Sequence, residues 1–150
     1  MIRNANLSDI PQLLIIGKKF FDESGYVGLI EYDEESTENT LHSLIESDVG
    51  LLVVYETDGK VQGAAGGMVY PFYFNNNHIT GSEFFWWIDP KLRGSKAGVK
   101  LFKALEETAK DKGAETFSMI ALDRLNPELV GRIYEKRGYR KSEHTYIRSL

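Results

Sequence analysis

The apolar positions along the chain follow two periods. Behind Ser8, which reads as an N-cap with Asp9 at the positive end of the helix dipole, Leu13, Leu14, Phe20 and Phe21 recur at helical spacing towards a stop at Gly25. "YVGLIEYDEES" reads as a loop, and Leu41, Leu44 and Ile45 share one face of a second predicted helix over 36–47. The period then changes. "GLLVVYETDGKVQGAAGGMVY" holds two strand-like runs joined by Asp58-Gly59, the short-range mark of a hairpin. "FYFNNNHITG" is polar and turn-rich, and "SEFFWWID" has the apolar density of a strand covered on both faces, with Trp86 and Trp87 on opposite sides and Pro90 as its end. Ala97, Leu101, Leu105 and Ala109, with Phe102 beside them, return to helical spacing over 95–112 before Gly113. "AETFSMIALD" is a further strand, "PELVGRIYEKRGY" a helix closed at Gly138, and "YRKSEHTYIRSL" a last strand. The predicted order is β-α-α-β-β-β-α-β-α-β. A helix between two strands implies a crossover, hence a locally parallel pair in a mixed α/β fold.

Composition narrows the function classes. At 150 residues the chain has the size of one domain, 1–150, and a domain of that size buries roughly 68–70% of its unfolded surface. With 42% hydrophobic and 27% charged residues and no apolar run near the roughly 18 that span a bilayer, it reads as a globular protein without membrane contact. Met1-Ile2-Arg3 leads straight into patterned sequence with no apolar leader, so cytoplasmic residence is expected. There is no cysteine, and His42, His78 and His144 stand far apart, so neither a thiolate nucleophile nor a metal site is expected. A net charge of −4 argues against nucleic acid and suits a cationic or amine substrate.

One stretch does not fit packing alone. "WIDPKLRGSKAGVKLF" runs from strand through a proline turn into a helix that starts with poor helix formers. Free amides at a helix start carry roughly half a positive charge, and small residues let an anion reach them. Arg93 and Lys96 add cations; the alternative is that Gly94 and Gly98 serve only a tight turn and close packing. The spacing fits neither the dinucleotide pattern G-x-G-x-x-G nor the triphosphate loop G-x-x-x-x-G-K-[ST], since Val99 follows Gly98. Arg93-Gly94-Ser95-Lys96-Ala97-Gly98 matches the first and last positions of the pyrophosphate loop Q/R-x-x-G-x-G/A of acyl-coenzyme A enzymes.

With that loop, with "NPELVGRIYEKRGY" as a second motif and with the element order, the chain resembles the GNAT superfamily of N-acetyltransferases over essentially its whole length. Lys96 stands where the loop's first glycine is usual, and Asn126 lies one residue further from Tyr134 than is common. The resemblance implies a mainly antiparallel sheet flanked by helices, with a splayed parallel strand pair. It implies acetyl-CoA as co-substrate, held by Ile88 at the end of the cofactor strand, by the loop residues Arg93, Gly94, Ser95, Lys96, Ala97, Gly98 and Val99, and by Asn126. It implies Tyr134 as the proton donor to the leaving thiolate, with core packing as the alternative. A lysine-like amine costs roughly 4.6 kcal/mol to deprotonate at pH 7, within reach of a carboxylate. Relatives place one near Glu83, otherwise an exposed strand-end residue; Asp89 and His78 are reserves. The acceptor is a small-molecule or peptide amine, with Tyr26, Tyr32, Tyr73 and Tyr146 as candidates to line its pocket. Exposed edge strands would allow a homodimer. The rival expectation is a non-catalytic acyl-CoA sensor or interaction module of the same fold.

Overall fold

The computed structural model describes residues 1–150. In chain order it contains β1 (Ile2–Asn4), α1 (Ile10–Ser24), α2 (Glu34–Glu46), β2 (Gly50–Thr57), β3 (Lys60–Phe72), β4 (Asn75–Ile88), α3 (Ala97–Asp111), β5 (Thr116–Ser118) and α4 (Pro127–Glu135). The strands lie in the order β1-β2-β3-β4-β5, antiparallel except for the parallel pair β4 and β5. Asp58 and Gly59 turn β2 into β3 with positive φ at both positions, which matches the twist of the strands they join.

Alternation along β2 divides the core. Leu52 and Val54 point to one face, where Leu13 and Ile16 of α1 and Leu41 and Leu44 of α2 cover them together with Trp87. Leu51 and Val53 point to the other, against Leu101, Leu105 and Ala109 of α3, with Ile88 buried beside them and Trp86 packed at the margin. Because helices cover both faces, β2 is apolar without a break from Leu51 to Val54, as a doubly covered strand requires.

Several local expectations are corrected. The last strand does not form: residues 139–150 have no strand, and Tyr146, Ile147 and Leu150 are exposed. The strand read over "AETFSMIALD" is confined to Thr116–Ser118. These differences share a cause, since three paired residues make too short an edge to recruit another strand. In the other direction, β3 and β4 extend through the polar stretch, and only Tyr73 and Phe74 separate them; pairs such as Tyr70 with Thr80 and Pro71 with Ile79 override the weak strand preference of its asparagines.

The start of α1 is also built differently. Asn6 caps a 3-10 turn over Leu7–Asp9, accepting from the Ser8 amide, while Asp9 accepts from the Asn6 amide and from both terminal nitrogens of Arg3. The Arg3 guanidinium holds the buried Asp9 carboxyl below its ordinary range. Asp33, not a residue at 36, caps α2 by accepting from the Ser36 amide.

Candidate active site

The ladder between β4 and β5 runs only from Thr80 opposite Thr116 to Ser82 opposite Ser118. Beyond it β4 continues to Ile88 beside β3 while the chain after Ser118 turns away, so the sheet forks. A β-bulge lies at the fork: Gly66 pairs with Phe85 but Gly67 pairs with Glu83, leaving Phe84 as the extra residue. Paired residues share a sheet face. Gly67 and Ala65 are two apart, so their partners Glu83 and Trp86 fall on one face although an odd interval separates them. Only glycine fits at position 67, where an added Cβ would lie 2.1 Å from the Ser82 carbonyl oxygen.

The bulge sends Glu83 inward. It sits inside β4 rather than at its exposed start, and only 4% of its surface is accessible. It is the one charged residue lining a cavity of about 70 Å³ in the fork, whose walls are Phe20 of α1, Tyr26, Phe84, Trp86, Leu122 and Leu125, closed by Val130 and Tyr134 of α4. Burial in these apolar walls pushes the Glu83 carboxyl up to about 7, and the Ile120 amide, donating to Oε2 over 2.8 Å, offsets part of the rise. A carboxylate poised there exchanges protons near neutrality.

Tyr134 reaches the same residue from the other side, its hydroxyl donating to the Ile120 carbonyl over 2.7 Å. Burial first, and the Glu83 charge second, raise its pKa, so the phenol keeps its proton. Ile120 is thus held at both backbone groups, by the carboxylate through its amide and by the phenol through its carbonyl. The ring of Tyr134 packs tilted against Trp86 and Tyr139 and edge-on to Phe102, which orients the hydroxyl. Sequence reasoning missed Ile120 because its part is played by main-chain atoms, which leave no residue-type signal.

The glycine-containing loop lies at the start of α3. Gly94 has φ 84°, a conformation other residues adopt only under strain. The Ser95 hydroxyl donates to the Leu92 carbonyl and accepts from the Ala97 amide. The amides of Gly94, Lys96, Gly98 and Val99 have no hydrogen-bond partner in the chain, and the Lys96 side chain is exposed without an ion pair. Unpartnered amides at a helix start are a donor set suited to an anion.

Not every expected residue faces it. The Arg93 side chain donates to Glu23 of α1 at 2.6 Å and to the Ile88 carbonyl at 3.2 Å, with its guanidinium over the Trp87 ring. It ties the loop to α1. The Ile88 side chain is buried against α3, while the part expected of Ile88 belongs to its main chain, whose carbonyl accepts from Arg93. Asn126, with φ 51°, caps α4 by accepting from the Leu129 amide. Of the four candidate tyrosines Tyr26 lines the cavity, whereas Tyr32, Tyr73 and Tyr146 do not. The reserve bases stand elsewhere: His78 meets Thr116 and Glu115 across β4 and β5, and Asp89 accepts from the Lys91 amide.

A predicted acetyltransferase from Clostridium acetobutylicum, solved with acetyl-CoA, superposes with a TM-score of 0.78 at 18% identity, covering 100% of this chain and 96% of the other. The aminoglycoside 6'-N-acetyltransferase AAC(6')-IG from Acinetobacter haemolyticus gives 0.74 at 17% identity, with 100% and 97% covered. Ribosomal-protein-alanine N-acetyltransferase from Brucella melitensis biovar Abortus 2308 gives 0.74 at 15%, with 100% and 98% covered. These likenesses establish the fold. No curated protein matches the chain. The model of the acetyltransferase (GNAT) family matches residues 19–139, most of the sequence and every element of the fork, so the chain belongs to the GNAT acetyltransferase family.

Proposed function

We propose that the chain is an N-acetyltransferase that moves the acetyl group of acetyl-CoA to a primary amine by direct attack in a ternary complex, residues 1–150 acting as one catalytic domain. The observation that carries this reading is the buried Glu83 carboxylate, titrating near neutrality in the fork within the same cavity as Tyr134.

The residues present fit the co-substrate. The unpartnered amides of Gly94, Lys96, Gly98 and Val99 suit a diphosphate, with Lys96 free to add its charge and Arg93 fixing the loop's entry through Glu23. Lys96 in place of the usual glycine is compatible with this because its exposed side chain leaves the amides uncovered. The unpaired edge of β4 beyond Ser82 suits an extended pantetheine arm.

Bound acetyl-CoA supplies an activated acyl carbon, at which the amine nitrogen forms the new C–N bond as the C–S bond breaks. Glu83 accepts the amine's proton. With one oxygen already accepting from Ile120, the carboxylate offers Oε1 to the amine in a fixed direction. Tyr134 gives its proton to the departing thiolate, and the Ile120 carbonyl aims the hydroxyl until that anion competes for it. Its raised pKa opposes this, and the opposition weakens once Glu83 has taken the amine's proton and lost the charge that contributes to the rise. Two of the relatives are named for an aminoglycoside and for a ribosomal-protein alanine, so the fold serves amines of very different size.

Calorimetric titration with acetyl-CoA and the pH dependence of kcat/KM test the reading together. Binding is expected, with a rate that rises through an apparent pKa near 7. In Glu83→Gln the rate falls by about 10²- to 10⁴-fold and loses that rise. No binding at millimolar acetyl-CoA, or an unchanged pH profile in the variant, would refute it.

A further inference from the structure

We propose that the acceptor is a monoamine bearing an apolar or aromatic group, and that polycationic amines are poor acceptors. The inference rests on the acetyl-transfer reading above and deepens it.

The cavity around Glu83 offers a single charged partner. Its remaining lining residues are apolar or aromatic, and Oε2 of Glu83 is committed to the Ile120 amide. One ammonium group can therefore be satisfied; a second would be held against hydrocarbon with no counter-charge. The cavity is open on one side, so an acceptor with its amine at Glu83 extends its body to the mouth.

That body lies at the mouth, and the mouth is apolar too. Phe84 is 44% exposed and Ile120 48% exposed, and the loop that continues from Tyr26 presents Val27, Leu29 and Ile30 to solvent. Such grouped exposure around a cavity is more than scattered surface residues provide. Asp123 and Arg124, both exposed, stand between the lining residues Leu122 and Leu125 and are opposite in sign. The stem of Arg124 lies across Gly25, so that an added Cβ there would be 3.0 Å from Cδ, and this contact holds the 122–125 segment against the end of α1.

The test is a panel of amines at fixed acetyl-CoA, following thiol release and the mass of the acetylated product: ethylamine, butylamine, hexylamine, phenethylamine, spermidine and neamine. From ethylamine to hexylamine kcat/KM is expected to rise by about three- to fourfold per methylene until the mouth is filled. Spermidine and neamine should fall at least about tenfold below phenethylamine, as an unpaired buried charge implies. Leu122→Glu, with its fold checked by circular dichroism, should shift the spermidine-to-phenethylamine ratio upward by about tenfold, because it supplies the missing counter-charge. A flat alkyl series with spermidine or neamine preferred overturns the acceptor class and leaves acetyl transfer standing. Donor binding without acetylation of any amine in the panel overturns both.

Discussion

Replacing Glu83 by glutamine should make the protein less active and, above neutral pH, more stable. In the native fold burial lifts this carboxyl from 4.5 to about 7. That difference is worth about 3 kcal/mol against the ionised form. Because the folded pKa lies above the unfolded one, the group's favourable contribution is complete below about pH 4.5 and is lost as pH rises through 7. At pH 8 the native protein therefore carries a buried anion that the unfolded chain would hydrate. Glutamine can still accept from the Ile120 amide but does not titrate. Between pH 5 and pH 8 the stability of Glu83→Gln relative to the parent should thus improve by about 2–3 kcal/mol. In a domain of this size that is roughly 5–10 °C in Tm. The glutamine NH₂ group, facing apolar walls, adds an offset that is the same at both pH values, so the change between them is the readout. Urea or thermal melts of both proteins at pH 5 and pH 8 measure it. An identical gap at the two pH values would mean that the carboxylate is hydrated in the native state, and the case for a base poised near neutrality would fall with it.

Three further outcomes follow from the same geometry. Tyr134→Phe leaves the Ile120 carbonyl without its donor and should cost about 1–3 kcal/mol in denaturant melts, while calorimetry shows retained acetyl-CoA binding and turnover slows; unchanged turnover would remove Tyr134 from the chemistry. Gly67→Ala drives a Cβ to 2.1 Å from the Ser82 carbonyl, so the bulge must open, at a cost of about 2–4 kcal/mol, and activity should fall further than global unfolding explains, which kinetics well below the melting temperature would reveal. Gly94→Ala meets no atom within 4 Å but must hold φ 84°, so it should cost about 1–2 kcal/mol and weaken acetyl-CoA binding through displaced amides; intact affinity would show that the loop does not cradle the diphosphate.

Elements governed by neighbours in sequence were legible before folding. The Asp58-Gly59 hairpin follows from local backbone preference, and α3 from the spacing of Leu101, Leu105 and Ala109. The glycine loop was legible too, since two poor helix formers, Gly94 and Gly98, stand around the start of α3 after a strand and a proline turn. The family followed from the order of these motifs, because that order is carried by the chain itself.

The chemistry needed the third dimension. Period-two reasoning puts Glu83 and Trp86 on opposite faces, and only the register of β3 against β4, with its extra residue at Phe84, brings them to one side. Arg93 looked like a phosphate ligand by spacing, yet a glutamate seventy residues earlier in the chain holds it. The segment after Gly138 had a strand's composition but found no long edge to pair with, and a strand without a partner gains no ladder hydrogen bonds. Turns and amphipathic helices depend on forces acting over a few residues, so they can be read in one dimension. A raised carboxyl pKa, a cavity and a sheet edge depend on which distant segments exclude water together, and that is settled only when the chain has folded.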